Sequence, residues 1–221
     1  LTFAEVLEEV DSLITKLAYI NVNHTHRVAL ALGNNSSFFL TLVALNGLDA
    51  GIVPLNMDQN IHEIRHILRH SDASILFSAP KYIDTFSEFC SDLEIEIRRL
   101  KFHDDWEDHK RIEDGGRDTD EVAIVYTSGT TGVPKGCILR EDYFMTTGSW
   151  YRDIGGLLSL EPGNERILTP LPTSHVNSLV FSFMGALSSG SCLLQLDRFH
   201  PNSWWQDVRK LKATAIHYLG V

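Results

Sequence analysis

Apolar residues near the N-terminus recur at helical spacing: Val6, Leu7, Val10, Leu13, Ile14 and Leu17. That is the rhythm of an amphipathic helix. Thr2, with Glu5 three positions on, supplies a capping box at its start. The pattern then shifts between short apolar runs and helical segments. "RVALALG" (27–33) reads as a strand, Asn34 to Leu48 as a helix, "GIVPLN" as a short strand or turn, and Ile61 to His70 as a helix. "ASILFS" (73–78), Tyr82 to Phe89 and "IEIRRLKF" continue as strand, helix and strand. After an irregular acidic stretch the alternation resumes with "EVAIVYT", "GCILR", a helix from Asp142 and "ERILT". A helix from Asn177 to Leu187, "SCLLQL", a helix from about Pro201 to Leu211 and "ATAIHYL" complete it. Strands alternating with helices of this length predict an α/β fold, with largely parallel sheets flanked by helices.

The chain has 221 residues, 43% of them hydrophobic, enough for one large domain or two small ones. It starts at Leu1 rather than Met and stops just after a strand-like run, which reads as a piece of a longer protein. A net charge of −10 argues against a nucleic-acid surface, which needs clustered Lys and Arg. An anionic ligand would therefore be held by local donors rather than by the overall field. The longest apolar run, "FFLTLVAL" (38–45), is too short to span a bilayer, so no transmembrane segment is expected. Cys90, Cys137 and Cys192 have no paired spacing, which reads as a reduced, cytoplasmic protein. The acidic stretch "KFHDDWEDHKRIEDGGRDTDE" (101–121) is either a solvated surface loop or the seam between two half-domains.

The chemistry concentrates in "YTSGTTGVPKG" (126–136). A Walker phosphate loop would follow Gly-Lys with Ser or Thr and open a helix. Here Lys135 sits between Pro134 and Gly136, and a β-rich run follows, so the loop joins strand to strand. Its composition still suits phosphate. Gly129 and Gly132 allow close backbone approach, Thr127, Ser128, Thr130 and Thr131 add hydroxyl donors, and Lys135 adds a fixed positive charge. The plain alternative is a solvated hairpin turn.

The whole string "TSGTTGVPKG" resembles the signature of the adenylate-forming superfamily of acyl- and aryl-CoA synthetases, luciferases and peptide-synthetase adenylation domains. Three further stretches are similar to the family's other motifs, in family order. They are "LTFAEV" at the start, "LNGLDAGIVPLN" (45–56) and "PLPTSHVNS" (170–178). The resemblance implies an incomplete large N-terminal domain spanning 1–221, with the C-terminal domain absent. It also implies ATP with Mg²⁺ as co-substrate, a small carboxylic acid as substrate and coenzyme A as acyl acceptor. Carried over residue by residue, Thr127, Ser128, Gly129, Thr130, Thr131, Gly132 and Lys135 would hold the departing pyrophosphate, and His175 would contact substrate or nucleotide. Lys135 would act electrostatically, because a carboxylate nucleophile is already ionised at neutral pH.

Asn56, the Gly-Thr-Thr-Gly form of the loop and His175 favour the CoA-ligase branch. The stretches from His175 to Phe199 and "ATAIHYLGV" resemble carnitine/crotonobetaine-CoA ligases. Two alternatives stay open, a peptide-synthetase-type adenylation domain and a non-catalytic nucleotide-binding module. Homo-oligomerisation is compatible with either. Ser174 stands where the family has an aromatic residue, and Arg140-Glu141 where it has Thr-His. That pair opens a helix for which Asp142 is the expected cap.

Two features invite other readings. "HEIRH" (62–66) has the histidine spacing of a zinc protease, and His70 extends the stripe by a turn. The same pattern describes an amphipathic helix with a polar outer side, so no metal site is expected. Trp204 and Trp205, with Val208 and Leu211 behind them, read as core packing rather than ligand stacking.

Overall fold

A computed structural model describes residues 1–100, 121–127, 133–156 and 159–219; of Arg152 it describes the backbone alone. Of the acidic stretch expected as a loop or seam at 101–121, residues 101–120 lie outside the described residues and Glu121 opens a strand. The chain divides into two compact units, Leu1–Leu139 and Arg140–Val221.

The first unit opens with α1 (Phe3–Tyr19), and its capping box forms as the sequence predicts. Thr2 Oγ1 accepts from the Glu5 amide at 3.2 Å, and Glu5 Oε2 accepts from the Thr2 amide at 2.6 Å. There follow β1 (Arg27–Ala31), α2 (Ser36–Asn46), β2 (Gly51–Pro54), α3 (Ile61–His70) and β3 (Ile75–Ser78). A 3₁₀ turn at Pro80–Tyr82 leads into α4 (Ile83–Phe89), then β4 (Glu96–Arg99), β5 (Glu121–Thr127) and β6 (Lys135–Arg140). The strands form one sheet in the order β4-β3-β1-β2-β5-β6. β1 runs parallel to β2 and β3, β3 to β4, and β2 to β5.

Every residue of β1, β2 and β3 is buried, as apolar parallel strands covered on both faces must be. On one face Ala29, Ala31 and Val53 meet Ile64, Ile67 and Leu68 of α3 and Phe86 of α4. At the strand ends, the buried Arg27 binds the buried Glu121 carboxylate with Nε and Nη2 at 2.5–2.9 Å. Its Nη1 donates to the Ser71 carbonyl at 2.7 Å. One guanidinium thus ties the starts of β1 and β5 to the end of α3.

The second unit carries α5 (Glu141–Asp153), β7 (Arg166–Thr169), α6 (Phe183–Ser188), β8 (Cys192–Gln195), α7 (Trp204–Lys210) and β9 (Ala215–Ile216). Its parallel sheet runs β8-β7-β9, so the run "ATAIHYL" contributes only two residues of strand. Arg140, not Asp142, stands at the N-cap of α5. The helix begins early enough to place Asp142 inside the first turn. There its Oδ1 accepts from the Tyr143 amide at 2.8 Å, and its charge suits the helix N-terminus. The helix expected from Asn177 opens instead as a wider π-type turn at Asn177–Ser182 before α6. Ser182 Oγ donates to the Asn177 carbonyl at 3.1 Å, bridging that wider turn.

The tryptophans depart from expectation. Trp204 is half-buried with its ring 5.1 Å from Phe199, but Trp205 is 63% exposed. Adjacent helical residues point about 100° apart, so the two rings cannot share a face. All three cysteines are free, and no described helix is long and apolar enough to cross a membrane.

Candidate active site

β5 and β6 are neighbours in the sheet, joined through 128–134. That connection is far shorter than the dozen or so residues a parallel crossover needs, so the two strands form an antiparallel hairpin. The strand-to-strand context expected from Pro134 is therefore present. Thr127 closes β5 and Lys135 opens β6, both exposed. Ser128, Gly129, Thr130, Thr131 and Gly132 lie outside the described residues. Among the described residues no carboxylate stands within ion-pair distance of Lys135. An exposed ammonium and a threonine hydroxyl at the ends of neighbouring strands suit the chemistry of a phosphate.

The hairpin is closely packed beneath those ends. A Cβ on Gly136 would come within 2.9 Å of Ile124 Cγ2 and 3.0 Å of Tyr126 Cζ, so only glycine leaves room for the tyrosine ring. Tyr126 is half-buried, and desolvation pushes its hydroxyl up to about 12, keeping it protonated. That hydroxyl lies 2.8 Å from Nδ1 of His70, with the two rings edge-on at 5.7 Å. His66 Nε2 lies 3.3 Å from the Pro134 carbonyl oxygen. The histidine stripe of α3 is therefore not simply an outer polar side, because two of its members face the hairpin. Among the described residues no three His, Cys, Asp or Glu side chains gather for a metal.

His175 belongs to the second unit and is exposed. Its amide donates to the Pro172 carbonyl and its own carbonyl accepts from Leu179, both at 2.9 Å, which sets it at the head of the π-type turn. Nδ1 is placed to accept the Asn177 amide at 3.4 Å, which assigns the proton of the neutral ring to Nε2.

Beside the π-type turn a cavity of about 180 Å³ is lined by Tyr151, Leu171, Asn177, Phe181 and His217. Tyr151 stacks on His217 at 5.2 Å and meets Phe181 edge-on at 6.3 Å. Ser182 Oγ lies 2.9 Å from His217 Nδ1. Burial lowers the affinity of His217 for a proton and raises the Tyr151 hydroxyl, so both remain neutral near pH 7. Of the apolar residues of the 177–184 segment, Leu179 and Met184 are core, whereas Phe181 faces the cavity. Tyr151 and His217 carried no signal in the sequence, since the elements that bear them lie far apart along the chain.

Comparison with known proteins agrees with this architecture. The profile of the AMP-binding enzyme family matches residues 1–220. A crotonobetaine/carnitine–CoA ligase of Salmonella typhi is 25% identical over 230 residues, covering 96% of this chain and 44% of its own. A feruloyl-CoA synthase of Amycolatopsis is 27% identical over 219 residues, covering 98% and 43%. The chain thus spans less than half the length of these curated relatives. Among solved structures, ATP-bound MatB from Rhodopseudomonas palustris superposes with a TM-score of 0.79 at 19% identity, over 97% of this chain and 43% of that one. The O-succinylbenzoate coenzyme A synthetase of Bacillus subtilis, in complex with ATP and magnesium ion, superposes with a TM-score of 0.77 at 21% identity, over 98% and 56%. At these identities the two superpositions establish the fold.

Proposed function

This chain belongs to the AMP-binding enzyme family, and on that ground we propose that the protein is an ATP-dependent acid–CoA ligase. The observation that carries the reading is the β5–β6 hairpin, with Thr127 and Lys135 exposed at the ends of its strands. In this proposal the 127–132 segment and Lys135 hold the β- and γ-phosphates. A substrate carboxylate oxygen attacks the α-phosphorus, the bond to the bridging oxygen breaks, and pyrophosphate leaves with its charge met by Lys135 and the loop donors. Magnesium arrives as the ATP complex and offsets charge on the phosphate oxygens. The sulfur of coenzyme A then displaces AMP from the acyl carbon and loses its thiol proton.

Lys135 needs no proton transfer to play this part. Its charge counts because donors held in place ahead of reaction need not reorganise as charge develops. His175 would present Nε2–H to substrate or nucleotide, and the neutral aromatic cavity beside Tyr151 and His217 would take the organic part of the acid. An acidic protein can bind ATP in this way because the donors are local.

Carboxylate-dependent exchange of labelled pyrophosphate into ATP, measured on the full-length protein across a panel of acids, tests the reading. Lys135→Ala is expected to lower exchange by about 10²–10³-fold, the scale for removing one donor to developing charge. Full exchange in that variant would remove the lysine from the chemistry. The 1–221 chain alone is expected to show little or no turnover, since it spans under half of its curated relatives.

A further inference from the structure

The crossover helix α3 connects β2 to β3 and buries Ile64, Ile67 and Leu68 against the sheet. Its remaining face carries the histidines that resemble a zinc-protease motif, yet two of them contact the hairpin. The Pro134 carbonyl can only accept, so His66 donates to it from Nε2 across 3.3 Å. His70 Nδ1 meets the Tyr126 hydroxyl at 2.8 Å, and the two imidazoles stand 5.6 Å apart along the helix. Tyr126 is the penultimate residue of β5, and Pro134 immediately precedes β6. One helix face therefore touches the outgoing and the returning strand of the same hairpin.

We propose that His66 and His70 are positioning residues for nucleotide binding. They would hold the two ends of the phosphate hairpin, and with them Thr127 and Lys135, in a fixed relation. The inference rests on the reading of that hairpin as the phosphate site. The Pro134 carbonyl and the Lys135 amide belong to one planar peptide unit, so a hydrogen bond that fixes the oxygen also fixes the direction of the amide opposite it. On the other strand, Tyr126 meets His70 through its hydroxyl and packs closely over Gly136, and Thr127 is the next residue. Catalysis by oriented donors suffers when they are displaced by as little as an ångström. Two anchors on a rigid helix hold the residues beside Thr127 and Lys135 without contacting the ligand.

The test uses the full-length protein and compares truncation with conservative replacement. Glutamine brings an amide N–H close to the place of His66 Nε2, and asparagine close to the place of His70 Nδ1. His66→Ala is expected to weaken ATP·Mg binding, read by calorimetry, and to raise the ATP KM in the exchange reaction, each by about tenfold. The KM for the acid should stay unchanged. His66→Gln should recover most of the loss. His70→Ala and Tyr126→Phe should each weaken ATP binding several-fold, and the double variant no more than the worse single one, because both remove the same bond.

Unchanged ATP affinity in His66→Ala and His70→Ala would overturn the inference. So would a loss that glutamine and asparagine fail to restore, which would mark the histidines as merely structural. Should the alanine variants fail to fold, Tyr126→Phe leaves α3 intact and decides alone, since unchanged ATP affinity there would count against the proposal. If Lys135→Ala abolishes exchange while the histidine variants behave as wild type, the phosphate reading stands and the positioning role falls. If Lys135→Ala retains full exchange, both fall.

Discussion

The two units bury their sheets to different degrees. In the first, β1, β2 and β3 are buried at every position and a sequestered ion pair ties two of the strands to α3. In the second, the outer strands β8 and β9 are only half-buried throughout and α7 has no buried residue, and its fully buried residues include Ile167, Leu168, Leu179 and Val180. The covered parallel strands β1, β2 and β3 of the first can hold a hairpin in place. The second leaves aromatic surface around a cavity, which is what a site for the organic part of a ligand requires. Rigidity and accommodation thus fall in different parts of one chain.

The largest expected effect comes from disrupting the buried pair. Glu121→Ala leaves the Arg27 guanidinium without its carboxylate and should destabilise the first unit by about 3–5 kcal/mol, measured by urea unfolding. The corresponding change in the second unit, replacing the exposed Asp197 beside His200 in Asp197→Ala, should leave the unfolding midpoint near the wild-type value. Equal effects from the two would erase the contrast between the units.

A matched pair of leucine truncations probes the same contrast through packing. Leu30 in β1 is 0% exposed, and Leu30→Ala should cost about 2–5 kcal/mol through lost burial and the cavity left behind. Leu193 in β8 is only half-buried, and Leu193→Ala should cost less than half as much. Similar values would mean that the second sheet is as tightly packed as the first.

The smallest effect is electrostatic and confined to the second unit. The folded state resists protonation of His217, whose proton affinity burial lowers below the ordinary value of 6.5. The unfolded chain therefore binds more protons once pH drops toward and below 6.5, and stability falls with it until the lowered folded value is passed. Hydrogen exchange should show amides around β9 and the π-type turn opening more readily between about pH 7 and about pH 5. Substituting His217→Gln should flatten that slope. A slope that persists in the variant would place the titration elsewhere.

Local features were legible from residue order alone. The capping box at Thr2 and Glu5, the span of α3, and β5 from Glu121 to Thr127 match the apolar period and cap chemistry. The placement of the glycine-rich loop between two strands was likewise legible, because Pro134 and the β-rich run after it are local constraints. The π-type opening of the 177–188 segment was not, since it depends on a serine bonding backward across the turn and sideways to His217. Nor was the split between Trp204 and Trp205, because helical spacing places side chains on faces without saying which face finds a neighbour.

The order of elements, the strand-to-strand nature of the glycine-rich loop and the family to which the chain belongs were thus written in the amino-acid sequence. These rest on interactions spanning a few residues, where period, caps and turn chemistry act directly. The pairing of Arg27 with Glu121 and the stacking of Tyr151 on His217 came from tertiary packing. So did the turning of the α3 histidines toward the hairpin rather than solvent. Those contacts join residues distant along the chain, and which of them form depends on how the crossover helices pack against their sheets, which no local pattern encodes.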